Sequence, residues 1–411
     1  MCVQRHKEKG SFCHILSKEY YGHHNRSPSM YKKDKYGSLG VDVHKTGIAS
    51  FKRIIDELFP EAFCPILKHP LDPSKGIILH EDGAGSKPIV SYLLYKETGD
   101  PRHFRGLARD VVAMNVDDVV CVGATPLAIS DYIALNPFTL KKEELLGALA
   151  EGFSEVLREL RSVGSDLCFC GGETAELPDI IRTFDISCTV YAEVPLKYVI
   201  TGSRISPGDI IVGIRSGGKS SMESFENSGL MCNGITLARH VLLSGEYPKK
   251  YPEIMCPEVK GYTGRFRLDS YIEELGMTVG EALISPTRIY MPLVLEILRR
   301  AEVKALIHNT GGGLTKCLRV GRGVAYIKDT LPEPDPIFLL IQREGKVDWR
   351  EMYQVFNMGV GMEVVVDKEN LNQVIDVCEK FGVGAQPIGR CERSSEGNSL
   401  LINSKWGIFS Y

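Results

Sequence analysis

Residues 80–87, with the sequence HEDGAGSK, combine acidic side chains, two glycines and a lysine in a way that suits phosphate and metal binding. Gly83 and Gly85 would let backbone N–H groups turn toward an anion, and Lys87 could contact a phosphate. Asp82 offers the hard oxygen ligand that Mg²⁺ prefers. The spacing is not that of a Walker loop, and an ordinary Asp-Gly turn is the competing interpretation.

Residues 109–124 carry three aspartates at helical spacing. At about 100° per residue, Asp110 and Asp117 nearly eclipse and Asp118 lies about 80° away, so the three share one face. A solvated face is the competing interpretation, but solvated faces usually mix Lys with acidic residues. Close carboxylates repel each other, and a divalent cation is the simplest way to keep them ionised. The pattern therefore favours a metal site.

Residues 170–179 form a third candidate, in which a strand is expected to run into a turn at Gly171 and Gly172. A pair of glycines permits close approach of the backbone to a ligand, and Glu173 or Glu176 could then face a metal or a base. A plain tight turn explains the same residues, so both interpretations stay open.

Alternating helices and strands must position these segments. Apolar residues at helical spacing predict helices at 48–58, 104–122, 143–163 and 286–300. β-branched and aromatic runs predict strands at 76–80, 167–170, 182–194, 210–214, 323–327 and 362–366. We therefore predict a mixed α/β protein, with a linker that ends one domain near residue 203. The predicted organisation is a disordered tail at 1–30, an N-terminal domain at 31–203, a C-terminal domain at 204–395 and a C-terminal tail at 396–411.

The composition favours a two-domain globular protein that acts on a small molecule. The chain has 411 residues, 43% of them hydrophobic and 25% charged, with a formal net charge of −3. This charge offers no large field for nucleic acid or a membrane, and neither is expected as a partner. No apolar stretch approaches the roughly 20 residues that span a bilayer, and no signal-peptide segment is present, so a cytoplasmic location is expected.

The twelve cysteines are scattered and match neither a zinc motif nor a disulfide framework, which is typical of reduced cytosolic thiols. The cysteines and histidines of the first 30 residues likewise fit no metal-ligand spacing. Since the motifs begin after Met30, translation could start there, which is a hypothesis that the N-terminal mass of the endogenous protein would test.

Over roughly residues 31–389, the sequence resembles the AIR synthetase (phosphoribosylformylglycinamidine cyclo-ligase) family. The resemblance rests on several separated segments in the family's order. They are GVD at 40–42, DGAGSK at 82–87, the aspartate-rich segment at 110–124, DY at 131–132, GGETAE at 171–176, CNG at 232–234, SPTRIY at 285–290, HNTGGG at 308–313 and FNMGVGM at 356–362.

The resemblance implies a two-domain α/β subunit and a homodimer in which the N-terminal domains share a β-barrel, with ATP bound near the dimer interface. It also implies the conversion of formylglycinamidine ribonucleotide and ATP to aminoimidazole ribonucleotide, ADP and phosphate. A formamide oxygen is a poor leaving group, so phosphoryl transfer from ATP would activate it for attack by an internal nitrogen. Such chemistry depends on positioning and charge neutralisation, for which Mg²⁺, glycine N–H groups and a lysine are suited.

The resemblance also assigns candidate roles, with ATP and Mg²⁺ as cofactors. The metal ligands would be Asp82, Asp110 and Asp118, and the catalytic residues Lys87, Asp118 and His308. ATP would contact Asp82, Gly83, Gly85, Lys87, Asp110, Glu173 and Asn233. The ribonucleotide would contact Asp131, Tyr132, Thr287, Arg288, Gly311, Gly312 and Gly313. A helix start expected at Thr287 and Arg288 suits a phosphate, although a salt bridge for Arg288 and a structural role for His308 are the alternatives.

Three departures from the family pattern leave alternatives open. In the loop at 216–234, Met231 and Cys232 stand where the family has His and Ser, and Asp117 stands where it has Asn. An insertion at 247–275 either caps the site or decorates the surface. The alternatives are therefore another ATP-using enzyme of the same superfamily, such as a thiamine-monophosphate kinase, or a non-catalytic nucleotide-binding regulatory protein. The TRIY and NMGVG segments favour the cyclo-ligase.

Overall fold

The computed structural model describes residues 34–43, 47 and 49–411 of the chain. The predicted N-terminal tail and the alternative start at Met30 lie outside the described residues. In the part that the structure describes, no helix is long and apolar enough to cross a membrane.

Helices and strands alternate along the chain as the mixed α/β prediction requires. The helices are α1 Lys35–Ser38, α2 Ala49–Lys52, α3 Lys87–Thr98, α4 Arg105–Val120, α5 Lys142–Ser162, α6 Ile235–Leu242, α7 Glu246–Lys250, α8 Val279–Ile284, α9 Met291–Arg300, α10 Pro336–Gly345, α11 Trp349–Val355 and α12 Leu371–Lys380. The strands are β1 Leu67–Lys68, β2 Lys75–Gly83, β3 Thr125–Leu135, β4 Cys168–Glu176, β5 Phe184–Pro195, β6 Ile210–Arg215, β7 Gly217–Gly218, β8 Asn227–Ser228, β9 Tyr271–Ile272, β10 Met277–Thr278, β11 Ala305–His308, β12 Val324–Lys328, β13 Val360–Val366, β14 Ala385–Arg393, β15 Ser399–Ser404 and β16 Gly407–Ser410.

The N-terminal half contains a five-stranded sheet in the order β1-β2-β5-β3-β4. Strands β3 and β4 are parallel, and the other neighbours are antiparallel. The register places Cys188 on β5 opposite both Asp82 on β2 and Asp131 on β3. The backbones of these two aspartates therefore lie in one row, about 10 Å apart.

Helix α4 lies at the centre of the molecule. All its residues from 107 to 120 are buried, because it packs against β2, β3 and β5 and also against α5, α9 and β11. The aspartate face predicted for this helix therefore meets the C-terminal half of the chain, and the alternative of a solvated face is wrong.

The C-terminal half contains a seven-stranded sheet in the order β11-β13-β6-β14-β12-β15-β16, covered in part by α12. Its last two strands occupy residues 399–404 and 407–410, where the sequence predicted a tail. They are part of the domain because Leu400 and Ile402 are buried and Trp406 stacks on Trp349, with 3.9 Å between ring centres.

Three predicted elements differ in their bounds. Strand β4 continues to Glu176 without the predicted turn, because its hydrogen bonds to β3 continue past the two glycines. Helix α9 begins at Met291 instead of 286, because Asp117 of α4 accepts the N–H groups of Tyr290 and Met291 at 2.7–3.0 Å. The helix predicted over 48–58 is reduced to the four residues of α2.

Candidate active site

The carboxylate of Asp118, near the end of α4, is shared between two histidines from different halves of the chain. Its Oδ1 lies 2.7 Å from Nδ1 of His308 at the end of β11, and its Oδ2 lies 3.3 Å from Nε2 of His80 on β2. Asp118 is 4% exposed and His308 is fully buried. The contact therefore depends on how the two domains dock.

The surroundings of His80 determine its protonation. The amide nitrogen of Asn115 donates to the carbonyls of Asp82 and Val111, so the Asn115 oxygen must face Nδ1 of His80, at 3.0 Å. Both ring nitrogens of His80 thus face acceptors, as in an imidazolium. Burial lowers the pKa of His80, but the hydrogen bond and charge of Asp118, with Asn115 and Asp82, outweigh it and raise the pKa.

Asp82 and Asp118 form a pair of nearby carboxylates in unequal surroundings. Burial and the charge of Asp118 raise the pKa of Asp82, against the charges of His80 and Lys316. Burial also raises the pKa of Asp118, but the Lys316 charge and the bonds from His308 and His80 bring it well below its usual range. The negative charge of the pair is thus concentrated on Asp118.

Lys316 is the cation of this cluster that the sequence analysis missed. It lies on a 3₁₀ helix, Gly313–Arg319, is 8% exposed, and donates a hydrogen bond to the Thr310 hydroxyl. Its ammonium also lies 5.2 Å from the ring centre of Phe63 in the N-terminal half. Only its position shortly after the three glycines could have indicated it, because its neighbours come from distant parts of the sequence.

The glycine turn at 311–313 meets predicted ATP-binding residues. Gly313 has φ 51°, and a Cβ there would lie 2.3 Å from a backbone oxygen. A Cβ on Gly311 would lie 3.7 Å from Oδ1 of Asn233, and one on Gly85 would lie 3.1 Å from the carbonyl oxygen of the residue before Asn233. The structure therefore brings Gly85, Asn233 and the glycine turn close together.

Lys87 and Asp110 lie in a separate, closed cluster. Lys87 Nζ lies 2.7 Å from Oδ1 of Asp110 and 2.6 Å from the carbonyl oxygen of Ser285, and both side chains of the ion pair are fully buried. Thr287 donates its N–H and its hydroxyl to the same Asp110 oxygen, at 2.8 and 2.7 Å. These bonds fasten α3 and α4 to the extended segment before α9.

Arg288 is saturated by contacts within the chain. Its Nε and Nη2 donate to Glu223, its Nη1 to the carbonyls of Arg215 and Gly217, and its Nη2 also to the carbonyl of Gly218. All five N–H groups of the guanidinium are thereby used. The side chain lies before α9 and not on it, contrary to the prediction, and it clamps the loop that departs from the family pattern.

The remaining predicted residues lie on the N-terminal sheet. Burial raises the pKa of Asp131, and Gly172 lies so close that a Cβ there would be 1.8 Å from Oδ1 of Asp131. Tyr132 is 42% exposed and is paired across the strands with the exposed Glu173. Tyr132 and Glu173 thus belong to the exposed face of the sheet and not to the Asp118 cluster. Gly83 ends β2 and donates its N–H to Asp82 at 2.8 Å.

The insertion at 247–275 fastens to helix α3. The hydroxyl of Tyr92 donates to Glu253 at 2.5 Å, and Glu97 accepts from Tyr251 and Lys250, each at 2.8 Å. These contacts attach the inserted segment to the N-terminal half, on a helix that itself precedes α4. The insertion therefore connects the two halves of the chain.

The two carboxylates of Asp82 and Asp118 fit an Mg²⁺ ion in part. Magnesium in such sites is usually held by one or two carboxylates together with phosphate oxygens. Burial and the charge of Asp118 raise the pKa of Asp82, and a cation would relieve the repulsion between the two carboxylates. Asp110 lies in the other cluster, where Lys87 and Thr287 bind its Oδ1 while its buried Oδ2 makes no hydrogen bond to another described residue, so its role as a metal ligand stays a prediction. Among the described residues, no group of three or more His, Cys, Asp or Glu side chains is arranged to hold a metal without further ligands.

The chain matches the two domains of the AIR synthase family. The family domain described as "AIR synthase related protein, N-terminal domain" matches residues 64–194 of this chain. The domain described as "AIR synthase related protein, C-terminal domain" matches residues 206–401. The two matches together span most of the chain, and the protein belongs to this family.

Curated relatives of the chain are named phosphoribosylformylglycinamidine cyclo-ligase. The protein of Methanocaldococcus jannaschii is 39% identical over 331 residues, covering 80% of this chain and 82% of the relative. That of Alkaliphilus metalliredigens is 31% identical over 326 residues, covering 78% and 81%.

Solved structures share the fold at low identity. A PurL of T. maritima complexed with FGAR has a TM-score of 0.53 and 12% identity, covering 88% of this chain and 49% of that one. A ThiL complexed with AMPPCP and TMP has a TM-score of 0.52 and 14% identity, covering 89% and 95%. These similarities support the two-domain α/β fold.

Proposed function

We propose that this protein is a phosphoribosylformylglycinamidine cyclo-ligase, which closes the imidazole ring of formylglycinamidine ribonucleotide with ATP and releases ADP and phosphate. The observation that carries the proposal is the Asp118 carboxylate, held by His80 and His308 across the domain boundary beside the glycine turn. The names of the relatives support the same activity. As an enzyme of purine biosynthesis, the protein would work in the cytoplasm.

The residues around Asp118 can bind and neutralise phosphate. Gly311 and Gly312 can offer backbone N–H groups, whereas the N–H of Gly313 donates to the carbonyl of Thr310. His80 and Lys316 supply positive charge in a largely buried setting, where electrostatic interactions are strengthened. Mg²⁺, held by Asp82 and Asp118, would neutralise further phosphate charge when bound. This set of groups suits transfer of a phosphoryl group to the formamide oxygen of the substrate.

His308 is suited to accept the proton that ring closure releases. Its Nδ1 faces Asp118 at 2.7 Å, which holds the proton on that nitrogen and orients the ring. Its Nε2 is buried and makes no hydrogen bond to another described residue. That nitrogen can therefore receive a proton as the attacking substrate nitrogen becomes part of the ring.

We also propose a homodimer formed through the N-terminal sheet. One face of this sheet packs on α4, while Leu79 and Tyr132 on the opposite face are 65% and 42% exposed. Burial of such apolar side chains stabilises subunit contacts, and an isologous pairing of two such faces gives a symmetric dimer.

The direct test is to add formylglycinamidine ribonucleotide to the purified protein with Mg²⁺ and ATP. ADP and the diazotisable amine product should form in equal amounts. Absence of ADP release despite measurable ATP binding would contradict the proposal and favour a superfamily relative with another substrate or a regulatory protein.

A further inference from the structure

Lys87, which belongs to a sequence motif of the site, and Lys316, which follows the glycine turn, have different surroundings. Lys87 is fully buried, and its ammonium is held by Asp110 and by the carbonyl of Ser285. Because its side chain has no exposed surface, a phosphate could reach it only if this buried cluster opened, and loss of the ion pair would leave an uncompensated carboxylate at high cost. Lys87 therefore acts as the internal counter-ion of Asp110.

Lys316 lies instead beside the carboxylate pair and the glycine turn. Its position after Gly313 on the 3₁₀ helix, together with the hydrogen bond to Thr310 and the contact with Phe63, places its ammonium at the junction of the two domains. The positive charge of Lys316 lies close enough to interact with both Asp118 and Asp82.

Two buried polar atoms near Lys316 point to a ligand. The amide nitrogen of Asn233, a side chain that is 9% exposed and lies against Gly311, makes no hydrogen bond to any other described residue. The same holds for Nε2 of the fully buried His308. Buried polar groups are rarely left without partners, and such exceptions call for an explanation. A polar ligand beside the glycine turn would give the Asn233 amide a partner.

We propose that Lys316, and not Lys87, is the lysine that contacts a phosphoryl group in this site. The ligand class is an organic phosphate, either the polyphosphate of ATP or the phosphate of the ribonucleotide. The assignment rests on the proposed function, because it presumes that phosphates bind beside Asp118. Lys316 supplies a charge-assisted hydrogen bond to phosphate oxygen, and Lys87 holds α3 against the segment before α9.

The experiment compares four variants with the wild type by calorimetric titration with MgATP and, separately, with the ribonucleotide. In Lys316→Met, we expect affinity for one of the two ligands to fall about 10- to 100-fold, which corresponds to the loss of one charge-assisted hydrogen bond. Lys316→Arg should stay within a few-fold of the wild type. Arg319→Met, which removes an exposed cation from the same 3₁₀ helix, should change neither affinity.

The fourth variant, Lys87→Met, separates the two lysines. It should lower the melting temperature more than Lys316→Met does, because it leaves Asp110 without its buried counter-ion. If Lys316→Met unfolds at the assay temperature, Lys316→Gln replaces it, since the amide can still donate to Thr310.

The ligand whose affinity falls identifies the source of the phosphate. Unchanged affinity of Lys316→Met for both ligands would overturn the inference while leaving the proposed function intact. If the wild type binds no MgATP, the proposed function fails, and the ribonucleotide titration alone decides the role of Lys316.

Discussion

The Asp118 carboxylate brings together one imidazole from each half of the chain, so the candidate site exists only when the domains are docked. On one side, His80 faces acceptors at both ring nitrogens and has a raised pKa. On the other, His308 presents a buried Nε2 that can accept a proton. One carboxylate thus orients two histidines with different surroundings, which have different uses in phosphoryl transfer and ring closure.

The substitution His308→Gln tests whether His308 accepts the proton that ring closure releases. We expect kcat to fall about 100-fold or more, because a glutamine cannot act as a base at neutral pH, while the affinity for MgATP stays within a few-fold. The measurement is steady-state kinetics with a parallel calorimetric titration. His240→Gln, which changes a buried histidine on α6 away from Asp118, is the control and should retain activity. Retained kcat in His308→Gln would contradict the role.

At the scale of secondary-structure elements, the extended segment before α9 connects the N-terminal and C-terminal halves of the chain. Asp110 of α4 accepts from Thr287, Asp117 of α4 accepts from Tyr290 and Met291, and Arg288 clamps the loop at 216–234. Burial raises the pKa of Asp117 to about 7, against the charge of His308 and the two N–H groups that the carboxylate accepts. Two aspartates of one helix thus serve as anchors, and the third, Asp118, lies at the candidate site.

The clamp of Arg288 on Glu223 predicts an acid-sensitive contribution to stability. Burial raises the pKa of Glu223, but the bonds and charge of Arg288 outweigh it, so the folded pKa lies below the unfolded value. The pair therefore stabilises the fold at pH values above the unfolded pKa of about 4.3, and this contribution is lost as the pH falls through the folded pKa.

Glu223→Gln should lower the free energy of unfolding at pH 7 by about 2–4 kcal/mol, because it leaves a buried guanidinium without its counter-charge. The deficit should shrink as the pH is lowered, as measured by thermal melting from pH 7 to pH 3.5. Glu333→Gln, which breaks an exposed pair with Lys405, is the control and should have little effect. A deficit that is constant with pH would show that the charge of Glu223 is not the cause.

The sequence predicted α4, six of the strands and the group of motifs that carry the site, because periodicity and glycine chemistry act over a few residues. It missed the long strands β3 and β14. It could not separate the roles of Asp110 and Asp118, which depend on whether Lys87 or His308 lies opposite them in the fold. The contacts of Lys316 with Phe63 and of Arg288 with Glu223 were likewise missed. Lys87 and Asp110 are 23 residues apart, and in the other cases the partner is 60 or more residues away in the sequence, so no local pattern reports these contacts.

At the scale of the whole molecule, two α/β domains share a buried boundary, and the N-terminal sheet leaves one face uncovered by its own helices. Buried polar contacts at the boundary, such as Lys87 with Ser285, and the contacts of the insertion with α3 hold the domains in one arrangement. Leu79 on the uncovered face is not buried by the described residues of its own subunit, and this exposure is the basis for the proposed dimer.

Leu79→Asp should convert the proposed dimer to a monomer, because it places a charge in an apolar contact between subunits. The measurement is sedimentation velocity at micromolar concentration. Leu71→Asp is the matched control, since Leu71 is 89% exposed and lies in the loop before β2. A wild type that sediments as a monomer, or a Leu79→Asp variant that remains a dimer, would contradict this interface.

The most direct test of the account is the rate of ADP release by Asp118→Asn in the presence of formylglycinamidine ribonucleotide, ATP and Mg²⁺. The carboxylate orients His308, favours the protonated form of His80 and offers a metal ligand. We therefore expect kcat to fall at least about 100-fold. Asp376→Asn on the exposed surface of α12 should match the wild type. Equal rates of ADP release by the wild type and Asp118→Asn would contradict the central claim that the Asp118 cluster is the active site.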